Sequence, residues 1–277
     1  MSNWSDASWG EFVRSKEFTL DRAVFLIAKS LQYPSLDIDE QLRILDSMGE
    51  ELKRSIGSKK PTEIIASINE YLFEKHGFRG NEQDYYDPRN SYLNDVIARR
   101  TGIPITLSVL YMELARRIGF ELHGVGFPGH FLVKHLYHDF AIVIDPFNKG
   151  KILSQEDFQH LLDKLYSGQV RFEQRFLDSV TKKQILIRML RNLKDTYMHS
   201  YDYNKALTAI DMTVSIDPNL AEEFRDRGLV LYQKKFYGDA LSNLTKYLEM
   251  QPDAVDADNI YQMIMDIQSF FRHDMYG

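Results

Sequence analysis

The last third of the chain repeats itself at a fixed interval of 34 residues. Asp217-Pro218 is answered by Gln251-Pro252, Ala206 by Ala240, Tyr197 by Leu231 and Ile210 by Leu244. A period of this length accommodates two amphipathic helices and their turns. Small residues stand where the helices of a pair must approach, and a proline follows each pair because it cannot continue a helix. Gly228, eight positions into the second unit, is such a close-approach residue. One helix pair cannot bury its apolar face alone and must stack on a neighbour. The spacing places two units at about 187–220 and 221–254, and residues 254–271 read as a closing helix. Since about three repeats are usually needed for independent stability, the array is expected to lean on what precedes it.

This period, with its alanines, glycine and prolines, is the tetratricopeptide pattern. It predicts an α-helical array over 181–277 whose concave groove takes a protein or peptide partner. Upstream the pattern changes. Residues 1–82 read as the N-terminal helical part of a separate core domain. Leu20 to Leu31 is a compact apolar helix ending near Pro34. Asp37, with Glu40 three residues on, starts another that carries Leu42, Leu45, Met48 and Leu52 at helical spacing. Gly57 and Pro61 break it, and Thr62 to His76 resumes it up to Gly77. The segment FRGNEQDYYDPRNSY is polar, aromatic and turn-rich, and reads as a long ordered loop.

Residues 83–180 mix helix and strand. Asn90-Ser91 is a candidate cap for a helix through Leu93, Val96 and Ile97. Pro104 stands where a helix tolerates proline, in its first turn, and Leu107, Leu110, Leu114 and Ile118 follow up to Gly119. Three strand-like runs come next, Glu121 to Phe127, Phe131 to Lys134 and Phe140 to Ile144, the last two joined by HLYHD as a hairpin. Ser154 with Asp157 opens a further helix that ends near Gly168. The expected class is α+β, mostly helical, with a small antiparallel sheet.

Composition removes several functions. A net charge of −6 argues against binding nucleic acid by phosphate neutralisation. No window approaches the roughly 20 apolar residues that span a bilayer, so no membrane partner is expected. The start, MSNWSDASWGEF, lacks a basic segment followed by an apolar one, and the chain reads as cytoplasmic. There is no cysteine, which excludes disulfides, thiolate metal sites and thiol nucleophiles together. Neither a phosphate-binding glycine loop nor a dinucleotide fingerprint is present, and no cofactor is expected.

One stretch nevertheless looks built around a single side chain. In GVGFPGHFLVK, glycine turns and a proline bracket His130, and Asp145 ends the apolar run VIDPF fifteen residues later. A cysteine–histidine–acid site uses a nucleophile at a helix N-terminus, a histidine base and a carboxylate that fixes the ring. The helix start Gly102-Ile-Pro-Ile-Thr, His130 and Asp145 follow in that order.

The segments GFRGNEQDYYDPRNSYLNDVIARRTGIPITLSVLYMELARRIGF, GVGFPGHFLV and IDPFNKGKIL resemble the SirB-like branch of the transglutaminase-like superfamily, which couples such a core to tetratricopeptide repeats. The resemblance implies a papain-related fold and a cytoplasmic bacterial protein, of regulatory function. It matches the family's glycines to Gly102 and Gly119, its histidine to His130 and its acid to Asp145, and its cysteine falls on Pro104. Thiol chemistry is thereby excluded. Two functions follow as alternatives. One is a catalytically silent core joined to a peptide-binding array. The other is an amide or ester hydrolase or acyl transferase using Ser108 or Thr106 with His130 and Asp145, although hydroxyls in a helix more simply bond back to its carbonyls or cap its start. His130 and Asp145 are read either as a structural pair or as the floor of a cleft that takes a ligand. The Tyr-rich loop is expected near that cleft, with Asn90, Tyr92 and Asn94 as candidates. No metal site is expected. His135 and His138 fall in a hairpin tip away from His130, and turns and caps account for Asp84, Asp87 and Asn90.

Overall fold

The computed structural model describes residues 6–16, 18–57, 60–138 and 140–274. The chain divides into two compact units, Lys16–Met189 and Met1–Ser15 with Leu190–Gly277. Helix α1 (Asp6–Arg14) thus belongs with the repeats.

The unit Lys16–Met189 opens with α2 (Leu20–Leu31), α3 (Ile38–Ser55) and α4 (Pro61–Asn69), the last widening into a π-helical stretch over Glu70–Lys75. Asp37 caps α3 by accepting the Glu40 N–H at 3.0 Å. Strand β1 (Arg79–Gly80) pairs in parallel with β2 (Thr101–Gly102) on either side of α5 (Leu93–Arg99). Helix α6 (Pro104–Arg117) follows directly. The apolar spacing marked one face of α6 for burial, but eleven of its fourteen residues are buried, so it is the central helix and its start is held fast.

Beside α6 lies a five-stranded antiparallel sheet built from β3 (His123–Val125), β4 (Leu132–Tyr137), β5 (Phe140–Asp145), β6 (Lys151–Ile152) and β7 (Ser179–Val180), in the order β6-β5-β4-β3-β7. Helix α7 (Gln155–Tyr166) starts at Ser154 with a reciprocal cap from Asp157. Its Phe158 and Leu162 pack against Val125, Phe127, Leu132 and Val143 of the sheet region.

Three boundaries differ from those expected. The hairpin strands do not stop at Lys134: they run on until Tyr137 pairs with Phe140, leaving a two-residue connection with His138 left-handed at φ 51°. The rings of Tyr137 and Phe140 meet edge to face at 5.5 Å, a cross-strand contact that extends the ladder. The first strand is three residues, not seven. Asn90 and Ser91 do not cap α5. They close a 3-10 turn over Pro88–Asn90 capped by Asp87, and Tyr92 is the residue before α5.

In the other unit the helices are α8 (Lys182–His199), which begins in the first unit, α9 (Tyr203–Ile216), α10 (Ala221–Gln233), α11 (Tyr237–Met250) and α12 (Ala257–Asp274). A Cβ on Gly228 would stand 2.7 Å from the Leu244 side chain, so the close approach of α10 and α11 requires glycine there. In the first repeat the same position holds Lys194. Its amine pairs with Glu223 at 3.1 Å and with Asp226, both on α10. Arg191 reaches Glu223 at 2.6 Å. Glu223 is fully buried, so a charged cluster joins the two repeats where apolar contact would be usual. Of residues 1–82, read as part of the core domain, the first fifteen group with this unit. Trp9 and Val13 of α1 are buried in this unit, and the Trp9 indole N–H donates to the Met212 carbonyl of α9 at 3.0 Å.

Candidate functional site

The site grows from the start of α6. Pro104 is the first helical residue, where its missing N–H leaves nothing unsatisfied. Thr106 secures this end. Its hydroxyl accepts the Ile103 N–H at 3.1 Å and lies 2.7 Å from the Asn90 carbonyl, to which it donates. Ser108, one turn in, donates to the Phe131 carbonyl at 3.3 Å. Both hydroxyls are fully buried and committed to backbone oxygens.

His130 is delivered by the Pro128-Gly129 turn. Gly129 has φ +66°, and the His130 N–H closes on the Phe127 carbonyl at 3.0 Å. Arg188 on α8 clamps both ends of this turn, donating to the carbonyls of Phe127 at 3.3 Å and His130 at 2.7 Å, while its guanidinium lies over the Phe131 ring. Burial lowers the Arg188 pKa from its ordinary value.

Behind the ring, His130 Nε2 sits 3.0 Å from Asp145 Oδ1. Asp145 is 1% exposed and accepts three further bonds, from the Phe147 and Asn148 N–H groups and from the Asn148 amide at 2.6 Å. A carboxylate with four donors is an acceptor throughout, so the His130 Nε2 carries a hydrogen toward it and Nδ1 is the ring nitrogen turned away from the acid. Phe147 meets the imidazole edge to face at 5.8 Å.

His130 and Pro104 line one cleft of about 370 Å3, together with Asn81, Tyr85, Asn148 and Lys164. The imidazole, held from behind by a buried acid, and a helix start face a common space, and the helix start presents a saturated ring. A Pro104→Cys thiol would stand at the head of a long helix and opposite His130. Its pKa is expected below the usual value of about 8.5. The pH dependence of iodoacetamide alkylation measures it, and an ordinary thiol pKa would show that the ring does not face position 104.

The other candidates lie elsewhere. Thr106 and Ser108 do not line the cleft. Nor does Asn90, which is buried and ties the loop to itself. Its amide donates to the Asp84 carbonyl at 2.7 Å and its Oδ1 accepts from Asn81 at 3.1 Å. Tyr92 is buried against Tyr33, their rings 5.7 Å apart, and Asn94 on α5 also lies away from the cleft. Asn81, nine residues before Asn90, is the loop amide that reaches the cleft, and Asn148 follows Asp145 in the same IDPFN run. Lys164 carried no signal in sequence, because α7 comes to the site only through the tertiary fold.

Among the described residues, no group of three His, Asp or Glu side chains converges to hold a metal. His135 is engaged by the Glu121 carbonyl at 2.9 Å and stacks on Phe120. Asp87 caps its 3-10 turn and pairs with Arg89 and Arg99, which together outweigh its burial and hold its carboxyl below the usual range. Among these residues no helix is long and apolar enough to cross a membrane.

This architecture has relatives. A profile of the transglutaminase-like superfamily matches residues 39–191, and one of the tetratricopeptide repeat matches 193–265. A UPF0162 protein of Xylella fastidiosa (strain 9a5c) is 37% identical over 93% of this chain and 92% of its own. A UPF0162 protein of Vibrio cholerae is 31% identical over 66% of this chain and 67% of its own. The mouse F-box only protein 21 is 35% identical over 48% of this chain, but that stretch is only 21% of the mouse protein. With an α+β core matched across its central helix and sheet, helical repeats following it in sequence and likeness to a UPF0162 protein over nine-tenths of both chains, the chain belongs to the SirB-like branch of the transglutaminase-like superfamily.

Proposed function

We propose that the protein is a non-catalytic interaction protein: a transglutaminase-like core without its nucleophile, joined to a helical-repeat array that holds a protein or peptide partner in a regulatory role in the cytoplasm. One observation carries this reading. Pro104, on which the family's cysteine falls by the resemblance, is the first residue of α6 and lines the cleft with His130. Tetratricopeptide repeats generally mediate protein–protein contact, which supports assigning binding to the array.

The hydroxyl alternative has less support. Ser108 and Thr106 are bonded to backbone carbonyls and lie outside the cleft. A fluorophosphonate probe is therefore expected to leave the folded protein unlabelled. Labelling that disappears in Ser108→Ala would instead establish a serine enzyme.

The binding reading is tested by partner capture. Because α1 packs within the array unit, residues 1–15 and 190–277 are deleted together. Capture should persist in Pro104→Ala and His130→Ala and vanish in the deletion. Loss in His130→Ala, with capture retained in the deletion, sinks the proposal.

A further inference from the structure

A second cavity lies in the same unit, at the other end of α6. Its volume is about 460 Å3, and it shares no lining residue with the His130 cleft. Met112 lies eight residues along α6 from Pro104, or roughly 12 Å at 1.5 Å per residue. Compact ligands occupy preformed sites of about 300–1,000 Å3 with mostly apolar walls and a few charged groups. This cavity has that make-up. Leu20, Met112, Phe120, Leu122, Val180 and Ile185 supply the apolar wall. They stand on α2, α6, β7, α8 and the segment between α6 and β3, so regular elements hold most of it.

The charges decide what fits. Two carboxylates touch the cavity: Glu113, which arginines answer, and Glu121, whose side chain is 82% exposed to solvent. Glu113 is bonded to Arg116 at 2.9 Å and to Arg117 at 2.8 Å, and Glu121 lies 3.6 Å from His123. Asp21, behind Arg116, is likewise paired with Arg116 and Arg117. Lys182, at the first position of α8, also lines the cavity and has no carboxylate partner among the described residues. An incoming ammonium would have to displace an arginine from Glu113, the buried acid of the cavity, whereas Glu121 stands in solvent. An incoming carboxylate meets an unpaired amine.

We propose that this cavity binds an amphipathic carboxylate, with its apolar body against Met112, Phe120, Leu122 and Ile185 and its carboxylate on Lys182. The site is independent of the repeat array and of any chemistry at His130.

Titration calorimetry on the full chain with decanoate, 4-phenylbutanoate, decan-1-ol and decylammonium tests it. Decanoate or 4-phenylbutanoate should bind saturably, with decylammonium at least several-fold weaker. Which of the two carboxylates binds tighter tells an aliphatic chain from an aryl group as the natural body. Lys182→Glu, at an exposed position, should weaken the carboxylate roughly three- to tenfold and leave decan-1-ol unchanged. Leu122→Trp should fill the cavity and abolish both. Should that variant not fold, methyl-labelled methionine spectra of the native protein give the location, because the Met112 resonance, assigned with Met112→Leu, should move on addition of the carboxylate. The proposal is overturned by the absence of saturable carboxylate binding, by decylammonium binding equally well, by an unchanged affinity in Lys182→Glu, or by an unmoved Met112 methyl.

Discussion

Asp145→Ala is expected to lower the stability of the transglutaminase-like unit by about 3–5 kcal/mol, the usual result of removing one member of a buried, hydrogen-bonded polar pair. The carboxylate is 1% exposed and receives four donors. Alanine leaves the His130 Nε2–H, two backbone N–H groups and the Asn148 amide without their acceptor, and each unsatisfied buried group costs on the order of 1–3 kcal/mol. In a unit of this size each kcal/mol shifts the melting temperature by about 2–4 °C, so a fall of about 10 °C is expected. Asp145→Asn keeps the shape and one acceptor oxygen, and should lose less than half as much. Calorimetric melting of the three proteins checks this. A loss below about 1 kcal/mol in Asp145→Ala would mean that the pair does not hold the fold, and that its geometry has some other reason to exist.

The second large effect lies in the repeats. Glu223→Ala removes the carboxylate that receives both Arg191 and Lys194, and Lys194 is itself only 4% exposed. Its amine keeps Asp226 alone. The expected cost is again about 3–5 kcal/mol, since a buried ammonium is left under-compensated. The informative companion is the triple replacement Lys194→Met, Glu223→Leu, Asp226→Leu. Swapping a buried ionic cluster for apolar side chains of similar volume is often neutral or stabilising by about 1–4 kcal/mol. Denaturant titration should therefore show the single variant far below the triple. If the two coincide, the cluster contributes through its charges and not only through the penalty of breaking it.

Much of this fold could be read from residue spacing, and the parts that could not share a cause. An apolar run marked α2 and a cap marked α7, while α6 was found as a helix but not as one buried on nearly every side. Helical period exposed α3 and the repeats, because they declare a buried face within their own length. The turn residues around His130 and the place of Asp145 at a strand end were legible for the same reason. What spacing misses is partnership at a distance. Nothing near Trp9 says that its indole bonds to Met212, and nothing near Tyr137 says that Phe140 will extend the ladder past Lys134. Asn90 looked like a helix cap because its neighbours are right for one. It spends its amide on the loop behind it because Asp87 has already capped the turn. The cleft shows the same limit. Its histidine and the acid behind that histidine come from one hairpin, whereas Asn81 and Lys164 come from a loop and a helix on either side of that hairpin in sequence.

The bond between α1 and α9 also fixes an order of events during synthesis. Trp9 leaves the ribosome ahead of its acceptor Met212, which is 203 residues further on. At about 5–20 residues per second, a ribosome needs about 10–40 s to supply that partner. For that interval Trp9 and Val13 have nothing of their own unit to cover them, while the whole intervening domain is made and free to fold. The repeat unit thus closes only after Lys16–Met189 has been made, and until then its first helix is an apolar segment without its partners.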